Sequence, residues 1–312
     1  MTGPENPAVS IVLNDMDRTQ LAVYGFRSWM LQDFERPYEV VLVLLNARAP
    51  EFERLTVGRN PRCSVKIRSY APPTSFNISA TNNLGLHHAS GRYVFFANSD
   101  IVYPSNYLRA VAGDLESHSI ACATGMRIDL GAKETRTLPP VQAVREPGDF
   151  DYLAASPGRE RLGFSPWMVL SDVAREVGGF DPRIRCFEDA DFNERVMHLL
   201  QRRGMQQCLM VLLGIAGYHL HHPYSELYSF SDSAQDTRAE RRRKLKNPQD
   251  EEASRLPTQL ESIDALLDDL YSVEVALNPP SRRQQIRMRL RRHGVVRRVV
   301  RAGRILFGEN DV

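Results

Sequence analysis

Cysteine is scarce in this chain. The four residues, Cys63, Cys122, Cys186 and Cys208, lie far apart and form no C-x-x-C pair. That excludes a zinc or dithiol centre built on such pairs, and the four read as reduced, mostly buried thiols of a cytosolic protein. Long hydrophobic runs are also missing. The longest, Val40 to Leu45 and Cys208 to Ala216, fall well short of the ~20 apolar residues a membrane-spanning helix needs. The opening MTGPENPAVS is polar and lacks the charged-then-apolar pattern of a secretory signal, so a cytoplasmic location is expected. No internal repeat is apparent.

What is present is ordinary globular composition. The 312 residues are 42% hydrophobic and 25% charged, with 19 Gly and 19 Pro, which excludes collagen-like, low-complexity and wholly disordered chains. The length suits one large domain, or a domain with an appendage. The net charge of +2 hides a partition. Residues 281–312 hold ten arginines against Glu309 and Asp311, so the tail carries +8 and the remainder −6. A mildly acidic body with a basic tail is not a uniformly basic nucleic-acid binder, and no nucleic-acid partner is expected.

Val9 to Leu13 and Glu39 to Leu45 are short, apolar and Val-rich, the pattern of strands buried on both faces of a parallel sheet. Thr19 to Leu31 between them has the length of a crossover helix, giving a β-α-β opening. Val65 and Ile67 alternate with polar neighbours as a third strand, and Asn82 to Ala89 reads as a helix stopped by Gly91. Tyr93 to Ala97 is a fourth strand running into Asn98-Ser99-Asp100. Tyr107, Val111 and Leu115 then recur at helical spacing behind Pro104. Asp129 to Arg161 has scattered Pro and Gly with little periodicity and is expected to be loop. Order returns at Phe164 to Leu170, followed by a short helix to Glu176 and a Gly178-Gly179-Phe180-Asp181 turn. An amphipathic helix follows through Phe192, Val196, Leu199 and Leu200, then a strand at Leu209 to Leu213 leads to Tyr218-His219-Leu220-His221-His222. Beyond about residue 230 come a charge run, Arg238 to Lys246, and a separate amphipathic helix marked by Leu260, Ile263, Leu267 and Leu270.

Ligands of open α/β sheets bind beyond the carboxyl ends of the strands. Three polar clusters fall there: Asn98-Ser99-Asp100, Glu188-Asp189-Ala190-Asp191 and His219 to His222. Carboxylate oxygen suits a hard divalent cation, and imidazole is acceptable to Mn²⁺-like ions. A carboxylate and a histidine from different strand ends could hold an ion against a phosphate leaving group, with a second carboxylate as general base. The plain alternatives are an N-cap role for Asp100 and a helix-dipole role for Glu188 and Asp189.

The run Phe76-Asn77-Ile78-Ser79-Ala80-Thr81-Asn82-Asn83-Leu84-Gly85, followed by Ala89-Ser90-Gly91-Arg92-Tyr93 and a strand ending in Asn98-Ser99-Asp100, resembles family 2 glycosyltransferases of the GT-A fold. Val9 to Leu13 resembles their first, nucleotide-facing strand. Gly178-Gly179-Phe180-Asp181 with Glu188-Asp189-Ala190-Asp191-Phe192 through Arg195 resembles their acceptor-side segment and acidic-pair motif. His221-His222-Pro223-Tyr224-Ser225 is similar to the metal-histidine segment of bacterial galactofuranosyltransferases. The resemblance spans roughly residues 8–230 and extends to rhamnosyl- and O-antigen-type transferases.

The resemblance implies an α/β, GT-A fold: a Rossmann-like, mainly parallel central sheet flanked by helices, with a C-terminal helical extension. With the change of composition after about residue 230, the chain divides into a GT-A domain at 1–232, the extension at 233–280 and the Arg-rich tail at 281–312, and the resemblance bears on the first. It implies an inverting transfer of a sugar from a nucleotide diphosphate sugar to a hydroxyl of a glycan or lipid-linked acceptor, in cell-surface polysaccharide synthesis. Asp100 would ligate Mn²⁺ or Mg²⁺, with Asn98 beside it and a histidine completing the set. His221 is the first candidate, His219 the second and His222 the third. Asp189 would be the base, helped by Glu188. Asn14, Asp15, Asn46, Asn83 and Ser99 would face the donor, and Asp191 and Trp167 the acceptor.

Two positions depart from the family pattern. Asn98 stands at the first D-x-D position as a neutral oxygen ligand, and Asn46 stands where many relatives carry the aspartate that reads uracil. These departures support a second reading, a catalytically degenerate nucleotide-sugar-binding or scaffold module. A nucleotidyltransferase would need a Gly-rich basic phosphate loop, which Asn14 to Arg18 does not supply. In the tail, Ile286, Leu290, Val295, Val296, Val299, Val300, Ile305, Leu306 and Phe307 interleave with the arginines. A basic amphipathic segment at 281–307 fits an anionic membrane surface, each Arg contributing about 1 kcal/mol, and so a peripheral place on the inner face of the cell membrane. A solvated tail, docking onto the acidic body and nucleic-acid contact are the rival readings.

Overall fold

The computed structural model describes residues 6–222, except 47, 72, 74–76, 118–120, 183, 185–187 and 206–208, together with 260 and 262–271. The basic tail at 281–312 and residues 233–259 therefore lie outside the described residues, as do Cys186 and Cys208; Cys63 and Cys122 are buried thiols.

An eight-stranded sheet organises the chain, in the order β3-β2-β1-β4-β7-β6-β8-β5. The strands are β1 (Val9–Asp15), β2 (Tyr38–Leu44), β3 (Cys63–Ser69), β4 (Tyr93–Phe96), β5 (Ile101–Val102), β6 (Cys122–Leu130), β7 (Gly158–Leu170) and β8 (Leu209–His219). Along β3-β2-β1-β4 every pairing is parallel. β7 then runs antiparallel to both β4 and β6, β8 is parallel to β6, and β5 is antiparallel to β8. The mainly parallel sheet read from the sequence is thus its first half, and the second half is mixed. The difference has a physical source. The parallel strands are buried on both faces and announce themselves as apolar runs, whereas β6 and β7 carry polar and charged residues at their outer ends and do not.

Helices cover both faces. On one, α1 (Thr19–Met30) and α4 (Tyr107–Ser117) bury Phe26, Trp29, Leu108 and Val111 against Ile11, Leu13, Leu42 and Phe95. On the other, α3 (Ile78–His88), α6 (Ser171–Glu176) and α7 (Glu188–Arg202) bury Leu84, Val173 and Val196 against Val12, Val41, Val94 and Val169. Adjacent residues such as Ile11 and Val12 enter opposite cores, as strand alternation requires. Two short helices, α2 (Ala49–Arg54) and α5 (Ala132–Arg136), complete this part. In the extension, α8 (Ile263–Tyr271) packs on α3: Leu260, Leu266 and Leu270 join the second core, and Nδ1 of His87 donates to the Leu260 carbonyl at 2.8 Å. No helix among the described residues is long and apolar enough to cross a membrane.

Three glycines explain the motifs. A Cβ on Gly85 would meet Val12 at 2.2 Å, so this glycine lets α3 close on β1. At Gly91 a Cβ would meet the Ser10 backbone nitrogen at 2.6 Å, and the Gly91 N–H instead donates to Ser10 Oγ at 2.7 Å. Gly179 adopts φ +66°, and Asn83 beneath it leaves no room for a side chain.

The segment expected to be loop, Asp129 to Arg161, is ordered. It holds the end of β6, α5, two single-turn 3₁₀ helices at Val141–Ala143 and Asp151–Ala155, and the start of β7. Polar anchors replace periodicity there. The buried Arg27 donates from Nε to the Val144 carbonyl at 2.9 Å and from Nη1 to that of Leu55 at 2.6 Å. Asp149 accepts from the Arg145 and Glu146 N–H groups, and Asp151 from Ser105. The third helix starts at Ile78 rather than Asn82 because Asn77 caps it, accepting from the Ala80 N–H at 3.1 Å.

Candidate functional site

β1 ends on Asn14 and Asp15. Oδ1 of Asp15 accepts from the Arg18 N–H at 3.1 Å, and Oδ2 accepts from Thr19 Oγ1 at 2.5 Å and from Asn46 Nδ2 at 3.0 Å. The carboxylate therefore fixes the approach to α1 and ties it to the turn after β2. Burial raises its pKa and outweighs those hydrogen bonds. Asn14 donates to Asn82 Oδ1 at 3.1 Å. Asp15 and Asn46 thus share one polar cluster past the ends of β1 and β2, while Asn14, the neighbour of Asp15 in the strand, turns to Asn82 of α3 on the other face. Asn83 stands apart from that cluster. Fully buried, it accepts from the Phe180 N–H at 2.7 Å and donates to the Phe180 carbonyl at 2.8 Å, spending both amide atoms on the glycine turn.

Beyond β4 the backbone turns through Asn98 and Ser99, both partly exposed, into the buried Asp100. The turn lies directly on α1: a Cβ at Gly25 would meet the Ser99 carbonyl oxygen at 2.2 Å. Asp100 immediately precedes β5, whose Ile101 is the register partner of His219 on β8. On its other side β8 borders β6, where His219 is the register partner of Asp129.

This topology gathers one cluster. Oδ2 of Asp100 lies 3.0 Å from Nε2 of His222, 3.7 Å from Nε2 of His219 and 3.0 Å from Nη1 of Arg18. Nδ1 of His219 lies 3.2 Å from Oδ1 of Asp129, which also stands 3.1 Å from Nε of Arg127. Oδ1 of Asp100 is buried and has no hydrogen-bond partner among the described residues. Burial alone would raise the Asp100 carboxyl, but the imidazoles of His219 and His222 beside it outweigh that and hold the group well below the usual carboxylate range. Burial likewise works to lower His219, and the neighbouring Asp100 and Asp129 carboxylates overcome this and raise it.

Ligand atoms from Asp100, His219 and His222 all lie within 4.8 Å of one another. Donor atoms ~2.1 Å from an ion are about 3.0 Å apart at right angles and about 3.4 Å at the tetrahedral angle; the Asp100–His222 spacing of 3.0 Å matches the first, and the Asp100–His219 spacing of 3.7 Å lies just beyond the second. The carboxylate-plus-imidazole set suits Mn²⁺ or Mg²⁺ with water completing the shell. Asp129, 3.2 Å from Nδ1 of His219, lies where an outer carboxylate would orient that histidine toward an ion. Of the three candidate histidines, His219 and His222 face Asp100. The side chain of His221 does not join them; that residue is exposed, and its N–H donates to Thr135 Oγ1 at 2.8 Å.

The acidic pair opens α7. Glu188 and Asp189 are partly exposed, and Asp189 Oδ1 accepts from the Ala190 N–H at 2.7 Å. Asp191 is buried and accepts from Arg195 Nε at 2.9 Å, while Arg195 Nη1 donates to the Val177 carbonyl at 2.7 Å, an intrahelical pair that anchors α7. The first turns of α7 rest on the end of β4 through Phe192, whose ring centroid is 5.6 Å from that of Phe96 and 4.3 Å from that of Phe180. Trp167 is the register partner of Phe96 on β7; it is buried, and its indole N–H has no partner among the described residues.

Arg18 and Asp129 are the site residues that sequence reasoning missed. Arg18 carries one weak signal, its place just past the carboxyl end of β1. Asp129 carries none until β6 is known.

No protein-family model matches the chain, and no curated protein matches it. Solved structures do. S. aureus TarS 1–349 in complex with UDP-GlcNAc superposes with a TM-score of 0.56 at 16% identity, over 85% of this chain and 73% of that one. A longer S. aureus TarS structure gives 0.51 at 15% identity, over 69% of this chain and 37% of that one. In two further TarS 1–349 structures this chain spans 59% and 62% of the other chain's length. At such identity the likeness is one of fold, and the chain has the GT-A fold.

Proposed function

We propose that this chain is a metal-dependent, inverting family 2 glycosyltransferase. It would move a sugar from a nucleotide diphosphate sugar to a hydroxyl of a glycan or lipid-linked acceptor, in cell-surface polysaccharide synthesis. The observation that carries this reading is the convergence of Asp100, His219 and His222 at the strand ends, linked through Arg18 to Asp15 and Asn46. Likeness of fold to a structure solved with UDP-GlcNAc supports a nucleotide sugar as donor.

When bound, Mn²⁺ or Mg²⁺ supplies Lewis-acid neutralisation of the departing diphosphate. The protein's own part is to hold three ligands in place through a buried strand pairing and to keep Asp100 ionised. Asp189, half-buried at the start of α7, is the proposed base, taking the acceptor hydroxyl's proton as its oxygen attacks the anomeric carbon. A single displacement with base and leaving group on opposite faces inverts that carbon. The basic segment 281–307 is proposed to place the enzyme peripherally on the inner face of the cell membrane, where a lipid-linked acceptor would lie.

Asp189→Asn tests the reading. An enzyme keeps metal-dependent donor binding in that variant and loses transfer, measured as release of the nucleoside diphosphate. The degenerate binding module, which the neutral Asn98 and Asn46 favour, releases none in either form.

A further inference from the structure

The guanidinium of Arg18 reaches the point where the candidate ligands converge. Its Nη1 lies 3.0 Å from Asp100 Oδ2 and 3.1 Å from His222 Nε2. Those two atoms are themselves 3.0 Å apart. Hydrogens alone cannot satisfy this triangle. A guanidinium only donates. If Nε2 of His222 carries the proton, it serves Asp100 but opposes N–H to N–H at Arg18. If Nε2 is bare, it accepts from Arg18 and sets its lone pair against that of the carboxylate. One edge is repulsive either way, and a cation placed between a carboxylate and a bare imidazole relieves it.

Charge gives the same result. Asp100 and Asp129 are matched in the cluster by Arg18 and by Arg127, so it is balanced without an ion. Adding a divalent cation while Arg18 stays would leave two positive charges in excess at a buried carboxylate. Arg18 can yield. Its backbone is fixed: the N–H donates to Asp15 Oδ1 at 3.1 Å, and the carbonyl accepts from Leu21 and Ala22 at 2.8 and 2.9 Å. Its side chain is 18% exposed and can turn on its own torsions without disturbing α1.

We propose that Arg18 is a displaceable stand-in cation that holds Asp100 and His222 in the ion-free protein, gives up that position to the divalent cation, and then pairs with an anionic phosphate oxygen of the donor. This inference rests on the metal reading above. A diphosphate would cancel the surplus charge, so ion and donor together add no net charge to a cluster that Arg18 and Arg127 already balance.

The test uses the full-length protein and the variants Arg18→Ala and Arg18→Gln, the second keeping the side chain's length should the first fold poorly. Mn²⁺ is titrated without nucleotide, reading the free-ion signal by electron paramagnetic resonance. UDP and GDP are then titrated calorimetrically at saturating Mn²⁺. Loss of the guanidinium is expected to tighten Mn²⁺ binding roughly tenfold or more and to weaken the nucleoside diphosphate by a similar factor, the scale of one charge-assisted hydrogen bond. Mn²⁺ binding that is no tighter in both variants, while Asp100→Asn abolishes it, overturns the role of Arg18 and leaves the metal reading standing. Absence of Mn²⁺ binding in wild type and variants alike overturns both.

Discussion

Oδ1 of Asp129 stands 3.2 Å from Nδ1 of His219, and the two residues are direct partners in the β6–β8 register. The contact turns Nε2 of His219 toward Asp100. It depends on an irregularity: the register passes from Gly125–Leu212 to Met126–Ala216, so extra residues on β8 set Asp129 opposite His219. Asp129→Ala is therefore expected to weaken Mn²⁺ binding about 10- to 100-fold while leaving the ligands themselves in place. Calorimetric titration of Mn²⁺ checks this.

The histidines should separate cleanly. His222→Ala is expected to abolish Mn²⁺ binding, and His221→Ala to leave it within about twofold of wild type, since only the first faces Asp100. Loss of binding in His221→Ala would place the ion elsewhere.

Gly25 offers a test of how the site is seated. Alanine for glycine inside a helix ordinarily stabilises by about 0.5–1 kcal/mol. Here the added Cβ meets the Ser99 carbonyl oxygen, a backbone atom that can give way only by moving the turn, so Gly25→Ala should instead destabilise by about 1–3 kcal/mol. Denaturant unfolding gives the sign, and Mn²⁺ binding should fall with it as the turn before Asp100 shifts.

The parallel half of the sheet and both flanking layers were legible in the sequence, because strands buried on both faces must be apolar throughout and their crossover helices must be amphipathic. β6 and β5 were not. β6 ends in Arg127 and Asp129, whose charges face the cluster and break the apolar pattern, and β5 is two residues long. Asp100 was legible as the end of a strand motif. Which histidine joins it was not, since that choice is made by the turn after β8 and by Thr135 Oγ1 holding the His221 N–H. Arg18 gave only the weak signal of its place past β1 for a related reason: its partners are 82 and 204 residues away. Asn83, Asp191 and Gly179 share motifs with the chemistry but hold the Phe180 turn and α7 in place.

Acid should loosen the sheet through Glu39. This buried carboxylate on β2 accepts from Ser10 Oγ and the Ser90 N–H, each at 2.6 Å, and pairs with Lys66 at 2.6 Å. Burial raises its pKa, but Lys66, Ser10 and Ser90 outweigh that, and the folded value lies below 4.5. A depressed folded pKa means the contribution is present above the unfolded value and is lost as pH falls through the folded one. Unfolding free energy should thus decline below about pH 4.5, and Glu39→Gln should lower stability at pH 7 and flatten that decline.

The most direct test of the central claim is a thermal-shift panel of UDP, GDP, dTDP and CMP, each with Mn²⁺ and with EDTA, on wild type and Asp100→Asn. Stabilisation by a nucleotide in Mn²⁺ alone, absent from the variant, is the expected result and identifies the donor base. Equal stabilisation in EDTA, or an unchanged response in Asp100→Asn, would contradict a donor site assembled on Asp100, His219 and His222.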